Sequence, residues 1–304
     1  MVYTLTVNPA LDYTMILSDM LEIGKTNRSL KESYTFGGKG LNVSYVLNEL
    51  GTSNTALGFC GGFVGEKIIN LVSEAGIKTD FIRLKNGTSR INLKLKGNKE
   101  TEINGIGPEI DEHSISTLFQ KIDTLKDGDA LILSGSILKG MSAQFYAKIL
   151  DRCKNKSILS IVDATGKLLT NTLCYNPFLI KPNRDEIQEL FGKNVSVDDG
   201  ARRLTEMGAL NVLVSLGKDG AVLYTQNGKK FTLSAPDGNA VNTVGAGDSM
   251  VAGFVAEYLR TSDLVSSFIY GVASGSATAF SPYLAKKEEI IKLIDTIKED
   301  IHFE

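Results

Sequence analysis

Hydrophobic residues fall along this chain in two alternating patterns. Short stretches that are apolar at nearly every position occur at residues 3–7, 55–59, 81–84, 130–134, 158–162, 178–181 and 212–215. Between most of them, apolar residues return every three or four positions, which predicts helices over 41–50, 66–75, 111–123, 142–153, 184–191 and 198–207. Strands without a polar face, separated by helices, imply a parallel sheet covered on both sides. Past residue 220 the pattern changes to strands at 221–225 and 231–233 around an Asn227-Gly228 hairpin, and helices at 264–280 and 287–297 close the chain. In open sheets of this kind ligands lie beyond the C-terminal strand ends, so the loops after Val7, Ser134, Lys181, Ser215 and Leu233 are the expected functional edge.

One region departs from this rhythm. Ile91, Leu93 and Leu95 alternate with Asn92, Lys94 and Lys96, and Gly97-Asn98 turns the chain toward residues 101–103, which predicts a half-exposed hairpin. Residues 13–34 also read as extended, around a turn at Ile23-Gly24. Together the two segments predict a small separate sheet, inserted at about residues 12–35 and 88–107 into one domain spanning 1–304, and able to act as a lid.

Two helices are entered through glycines. Asn242-Thr243-Val244-Gly245-Ala246-Gly247-Asp248-Ser249 precedes Val251, Phe254, Val255, Tyr258 and Leu259 at helical spacing, so a helix is expected to start at or near Ala246. Its first amides lack partners and the macrodipole adds about half a positive charge, which suits a phosphoryl group. Asp248 in that first turn would be unwelcome beside an anion unless it takes a proton from an attacking hydroxyl, although acidic and small polar residues also favour any helix N-terminus. The second entrance, Gly37-Gly38-Lys39-Gly40, carries a lysine with little to pack against. Asn183 and Glu186 have the spacing of a capping box, which serves a purely structural end equally well. Asp12 and Ser136 fit turns, and Arg90 fits a solvated strand, as readily as they fit a site.

Composition narrows the partners. With 33 basic and 35 acidic residues spread along 304 positions, no basic tract favours nucleic acid. The three cysteines are few and widely separated, as are the two histidines, so neither a disulfide framework nor a zinc site is expected; buried thiols in a cytoplasmic protein are. No apolar run approaches the roughly 20 residues that span a bilayer. A dinucleotide fingerprint fails because Met250 stands at its third glycine, and a Walker A motif ending at Gly24-Lys25-Thr26 fails because Asp19 stands at its first.

The pair formed by Gly37-Gly38-Lys39-Gly40-Leu41-Asn42 and Thr243-Val244-Gly245-Ala246-Gly247-Asp248 resembles the signatures of the PfkB, or ribokinase-like, carbohydrate kinases over essentially the whole chain. Asn8-Pro9-Ala10-Leu11-Asp12, Thr101-Glu102-Ile103-Asn104-Gly105 and Leu133-Ser134-Gly135-Ser136 are similar to the bacterial 1-phosphofructokinase branch, close to the tagatose-6-phosphate kinases; Ile106 and Leu138 stand where that branch suggests proline. The resemblance implies a Rossmann-like three-layer α/β/α domain with a β-sheet lid that often pairs with a second lid. It implies ATP and Mg²⁺, and phosphorylation of a ketohexose phosphate, first of all fructose 1-phosphate; tagatose 6-phosphate, fructose 6-phosphate and a noncatalytic sugar-phosphate sensor are the alternatives. Residue by residue, it implies Asp248 as base and the amides of Gly245, Ala246 and Gly247 as anion hole. Asp12, Gly37, Gly38, Lys39, Asn42 and Ser136 would meet the sugar, and Arg90 its phosphate, with Lys25 or Arg28 as a further charge. Lys181, Asn183, Ser215, Gly217, Gly220 and Thr243 would serve the nucleotide, Ser274 and Thr278 its adenine, and Glu186 the metal.

Overall fold

A computed structural model describes residues 1–299 and 301–303. The chain enters the main sheet through β1 (Val2–Thr6) and leaves it at once for β2 (Ala10–Leu17) and β3 (Ser29–Gly37). It returns through α1 (Lys39–Glu49), β4 (Asn54–Gly61), α2 (Gly62–Glu74) and the short β5 (Lys78–Thr79) and β6 (Ile82–Leu84), and leaves again for β7 (Arg90–Lys96) and β8 (Glu100–Asn104). Alternation follows: α3 (Glu112–Asp123), β9 (Ala130–Ser134), α4 (Phe145–Cys153), β10 (Leu159–Asp163), α5 (Gly166–Thr170), β11 (Leu179–Ile180), α6 (Arg184–Phe191), α7 (Val197–Glu206) and β12 (Asn211–Ser215). The chain ends with β13 (Ala221–Thr225), β14 (Lys230–Leu233), α8 (Ala246–Thr261), α9 (Leu264–Phe280), α10 (Lys287–Ile297) and β15 (His302–Phe303).

The main sheet runs β15-β14-β13-β12-β11-β10-β9-β1-β4-β5, with β6 also on β4. It is parallel from β12 through β4 and turns antiparallel only at the β13, β14 and β15 edge. Leu131 and Leu133 face one core with Leu118, Ile149 and Ile187, whereas Ala130 and Ile132 face the other with Val46, Val251 and Phe254. Each strand residue therefore meets a helix layer on its own side, which is why these strands show no polar alternation. The result is a three-layer α/β/α fold. Among the described residues no helix is long and apolar enough to cross a membrane. All three cysteines are free, but only Cys60 and Cys153 are buried; Cys174 is exposed, contrary to expectation, because it sits in the turn after the short α5. Alpha-5 and β15 were not foreseen either, being too short to establish a period.

The second sheet has the order β3-β2-β7-β8. Its central pair is parallel, with Ala10 opposite Arg90, Asp12 opposite Asn92 and Thr14 opposite Lys94, so the two excursions, each an antiparallel hairpin, join edge to edge into one sheet. Because side chains alternate, Asp12, Arg90, Asn92, Lys94, Glu102 and Asn104 all turn toward the functional edge of the main sheet. On the opposite face Leu11 and Phe36 pack against Val64 and Ile68 of α2, which anchors the base of this sheet.

Candidate active site

Helix α8 begins where the alternating glycines end. Gly245 is its N-cap in a left-handed conformation, φ 82°, and Leu284 occupies the space a Cβ would need, so only glycine fits there without displacement. The Ser249 amide closes the first turn onto the Gly245 carbonyl at 2.8 Å. The Ala246 amide, expected in the anion hole, instead donates to the Thr243 carbonyl at 3.3 Å. Among the described residues no acceptor is paired with the amides of Gly245, Gly247 and Asp248, which leaves these donors at the helix mouth open to an anion. An added Cβ at Gly247 would stand 3.0 Å from Lys181 Nζ, so the ammonium group lies directly against this bare backbone.

Asp248 is 5% exposed, and its Oδ2 accepts a 2.8 Å hydrogen bond from Asn42 Nδ2. Burial and the nearby Asp163 carboxylate push its pKa up to about 6, against the pull of Lys39, Asn42 and Lys181. A carboxylate with a pKa in this range suits proton transfer near neutral pH.

Asp163, at the end of β10, was not singled out from sequence, yet it is the electrostatic centre of the site. It is 1% exposed and lies between two ammonium groups, Lys39 Nζ at 3.5 Å and Lys181 Nζ at 3.4 Å. Burial opposes its ionisation, but Lys181 and Lys39 outweigh that and hold its pKa below the ordinary carboxylate value. Reciprocally, burial opposes the Lys39 charge, while Asp163, Asp248 and Glu186 together hold its pKa above the ordinary lysine value. Lys39 comes from the glycine-rich entrance to α1 and Lys181 from the loop after β11, so Asp163 joins two elements remote in sequence.

Two cavities flank α8. The first, about 530 Å³, is roofed by the polar face of the β2–β7 sheet and lined below by Gly38, Lys39, Asn42, Ser136, Lys181 and Asp248. In the roof, Asp12 accepts a hydrogen bond from Asn92 Nδ2 and an ion pair from Lys94 Nζ, both at 2.9 Å. Arg90 donates from Nε to the Asn8 carbonyl at 3.2 Å; burial lowers its pKa, with Asp12 partly offsetting this. Gly37 does not line the cavity: it lies behind Asp12, where any side chain would strike the carboxylate. Among the lining residues, Thr6 Oγ1, Asn8 Oδ1, Asn92 Oδ1 and Ser134 Oγ are buried without protein partners. Such a concentration of unsatisfied polar atoms suits a ligand rich in hydroxyl groups. Lys25 and Arg28 are absent from this lining; Lys25 pairs with Glu22 in the exposed loop between β2 and β3.

The second cavity, about 750 Å³, lies on the other side of α8. Gly217, Gly220, Thr243 and Ala246 are among the residues that line it. Ser274 and Thr278 do not: both are fully enclosed, because they project toward α8, and Gly275, Ser276 and Ala279 of α9 face the cavity with Val272 and Phe280 instead. Among the described residues, only Asn183, Ser215 and Gly247 belong to both linings, which places the junction of the two cavities at the mouth of α8. At that junction Asn183 and Glu186 do form a capping box, with the Asn183 side chain accepting the Glu186 amide at 2.8 Å and Glu186 Oε2 accepting the Asn183 amide at 2.9 Å.

A polar, cation-bearing chamber and a largely apolar slot thus meet at unpaired amides, with a tuned carboxylate on the polar side. This is the arrangement of a phosphoryl-transfer enzyme, and the chain belongs to the pfkB family of carbohydrate kinases, whose family model matches residues 6–290. It is 40% identical over 302 residues to the 1-phosphofructokinase of Bacillus subtilis (strain 168), covering 98% of this chain and 99% of that protein. It is also 35% identical over 304 residues to the D-tagatose-1-phosphate kinase of Bacillus licheniformis, covering 98% of each. Among solved structures, phosphofructokinase-2 from Escherichia coli in complex with fructose-6-phosphate superposes with a TM-score of 0.90 at 27% identity, covering 97% of this chain and 98% of that one. The chain is a sugar-phosphate kinase, and ATP is the phosphoryl donor that this family implies.

Proposed function

We propose that the enzyme transfers the γ-phosphoryl group of ATP to the O6 hydroxyl of fructose 1-phosphate, giving fructose 1,6-bisphosphate and ADP. The observation that carries this reading is the meeting of the two cavities at Gly247, with Asp248 on the side of the polar chamber; the 40% identity to a 1-phosphofructokinase supports the choice of acceptor. The nucleotide occupies the apolar slot, its base against α9 and its phosphates directed past Ser215 and Asn183 to the mouth of α8. The acceptor lies under the roof, its hydroxyls on Asp12, Asn42 and Ser136 and its phosphate on Arg90.

Asp248 accepts the hydroxyl proton as the new O–P bond forms and the bond to the ADP oxygen breaks. Transition states of this reaction are loose, so most of the acceleration comes from alignment and charge. The Gly247 and Asp248 amides, with Lys39 and Lys181, supply fixed positive potential where the transferred oxygens pass. Glu186 offers a hard carboxylate in the lining of the polar chamber, next to the Asn183 cap, and no group of three or more metal-ligating side chains occurs among the described residues. That donor set fits Mg²⁺ held through one carboxylate, water and the phosphates of ATP, where it would neutralise phosphate charge. The β2–β7 sheet acts as the lid, its closure excluding water.

The acceptor is tested by ADP release over fructose 1-phosphate, D-tagatose 1-phosphate, fructose 6-phosphate, tagatose 6-phosphate and fructose. The highest kcat/KM is expected with fructose 1-phosphate, and Arg90→Ala is expected to raise KM for the sugar phosphate about tenfold or more, the worth of one charge-assisted contact, while KM for ATP stays nearly constant. Equal rises in both KM values would remove Arg90 from the phosphate site, and no stimulation by any sugar phosphate would remove the kinase assignment of this site.

The lid also carries exposed apolar residues, Ile23 at 94%, Leu30 at 71% and Ile103 at 56% exposure. Exposed apolar side chains spread over the lid suit an interaction surface, and a second lid of the same chain is its proposed partner. Sedimentation is expected to give a dimer for the native chain and a shift toward monomer for Ile23→Asp; a native monomer at micromolar concentration would overturn the pairing.

A further inference from the structure

Thr278 was expected at the adenine and is found elsewhere, with its hydroxyl fully enclosed between α8 and α9. Its Oγ1 shares a 2.7 Å hydrogen bond with Ser249 Oγ and accepts the Ala285 amide at 3.0 Å. Ser249 is the residue after Asp248 and closes the first turn of α8 onto Gly245. Ala285 follows Leu284, the side chain that covers Gly245. One hydroxyl therefore ties the helix mouth to both the end of α9 and the loop that packs over the N-cap.

The same end of α9 holds the approach to that mouth. The Ala279 carbonyl accepts the amides of Val241 at 2.7 Å and Asn242 at 3.1 Å. Asn242 Nδ2 donates to the Pro282 carbonyl at 3.2 Å, and its Oδ1 accepts the Val244 amide at 3.1 Å. Residues 241–249 are thus suspended from the C-terminal turn of α9 and its following loop.

We infer that Thr278 is a positioning residue for phosphoryl transfer: its hydroxyl sets the first turn of α8, and through Ser249 the aim of the Gly247 and Asp248 amides and of the Asp248 carboxylate. This rests on the proposed kinase reading of the site. Thr278→Val keeps the side-chain shape but leaves the Ser249 hydroxyl and the Ala285 amide enclosed without their partner, and groups in that state drive local rearrangement. Neither cavity includes Thr278 in its lining, so nucleotide and sugar contacts stay intact.

The test compares native enzyme, Thr278→Val and Thr278→Ser in two readouts. In steady-state kinetics with ATP and fructose 1-phosphate, Thr278→Val is expected to lower kcat by about ten- to a hundredfold, the scale of a small misplacement of reacting groups, with KM for ATP changed less than about threefold. Thr278→Ser, which restores the hydroxyl, is expected to recover most of the loss. In amide hydrogen exchange on the unliganded chain, residues 241–249 are expected to exchange faster in Thr278→Val while the strands of the main sheet keep native protection. Unchanged exchange at 241–249 overturns the inference, as does a loss that the serine variant fails to recover. A native chain inactive on every sugar phosphate defeats the functional reading alone, since the exchange measurement still decides whether Thr278 sets the helix mouth.

Discussion

Asp248→Asn is expected to lower kcat by about 10²- to 10⁴-fold, the range for loss of a positioned general base, while ATP affinity stays within a few-fold of native. The amide can still accept the Asn42 hydrogen bond, so the geometry of the turn survives and only the proton acceptor is lost. A pH profile of kcat/KM separates this from a structural defect. The carboxyl must be ionised to act, so native activity is expected to fall as pH drops through about 6, where burial and Asp163 have raised its pKa. The acidic limb should be absent from the residual activity of the variant. Stability moves the other way. A carboxyl whose folded pKa is raised costs the fold stability above its ordinary value, so the neutral amide is expected to leave Tm unchanged or higher at pH 7.5. Near-native kcat in Asp248→Asn would remove it as the base.

Asp163→Asn is expected to affect both activity and stability. Removing one partner of a buried ion pair costs about 3–5 kcal/mol, and here Lys181 and Lys39 both lose the carboxylate between them. A marked fall in Tm at neutral pH follows. Because the Asp163 pKa is lowered in the fold, its contribution is present above the ordinary carboxylate range and lost as pH falls through the folded pKa, so native and variant Tm values should converge in acid. With the two lysines no longer fixed against the junction, kcat is expected to drop by about a hundredfold or more. Yet Asp163 also raises the Asp248 pKa, so the acidic limb of the surviving activity should move to lower pH. A variant with native Tm and an unmoved limb would show that the carboxylate does not organise this site.

The parts of this molecule that were legible in sequence are those encoded locally. The start of α8 at Ala246 follows from the end of the glycines and the return of apolar residues at helical spacing, and both cores follow from strands lacking a polar face. Asp163 escaped notice because a single carboxylate closing the apolar strand β10 looks like a strand end, and its two lysines lie 124 and 18 positions away. Asn92 and Lys94 were visible as the polar half of an alternating strand, but alternation cannot say whether that half meets solvent or a ligand. Ser274 and Thr278 were placed at the adenine by resemblance, and the residues themselves offered no check, because α9 is built almost entirely of small and apolar residues with little periodic contrast to tell the face on α8 from the face on the cavity. The parallel pairing of β2 with β7 had no local signal at all.

That pairing bears on how such an enzyme could change its diet. Asp12 and Asn92 touch although 80 positions separate them, whereas the donors at the mouth of α8 are neighbours in one short segment. The carboxylate and the amides beside it are thus inherited as a single cassette. Choice of acceptor is divided between two distant stretches of chain whose side chains hold one another, so a new sugar is reached through compensating replacements on both strands rather than through one.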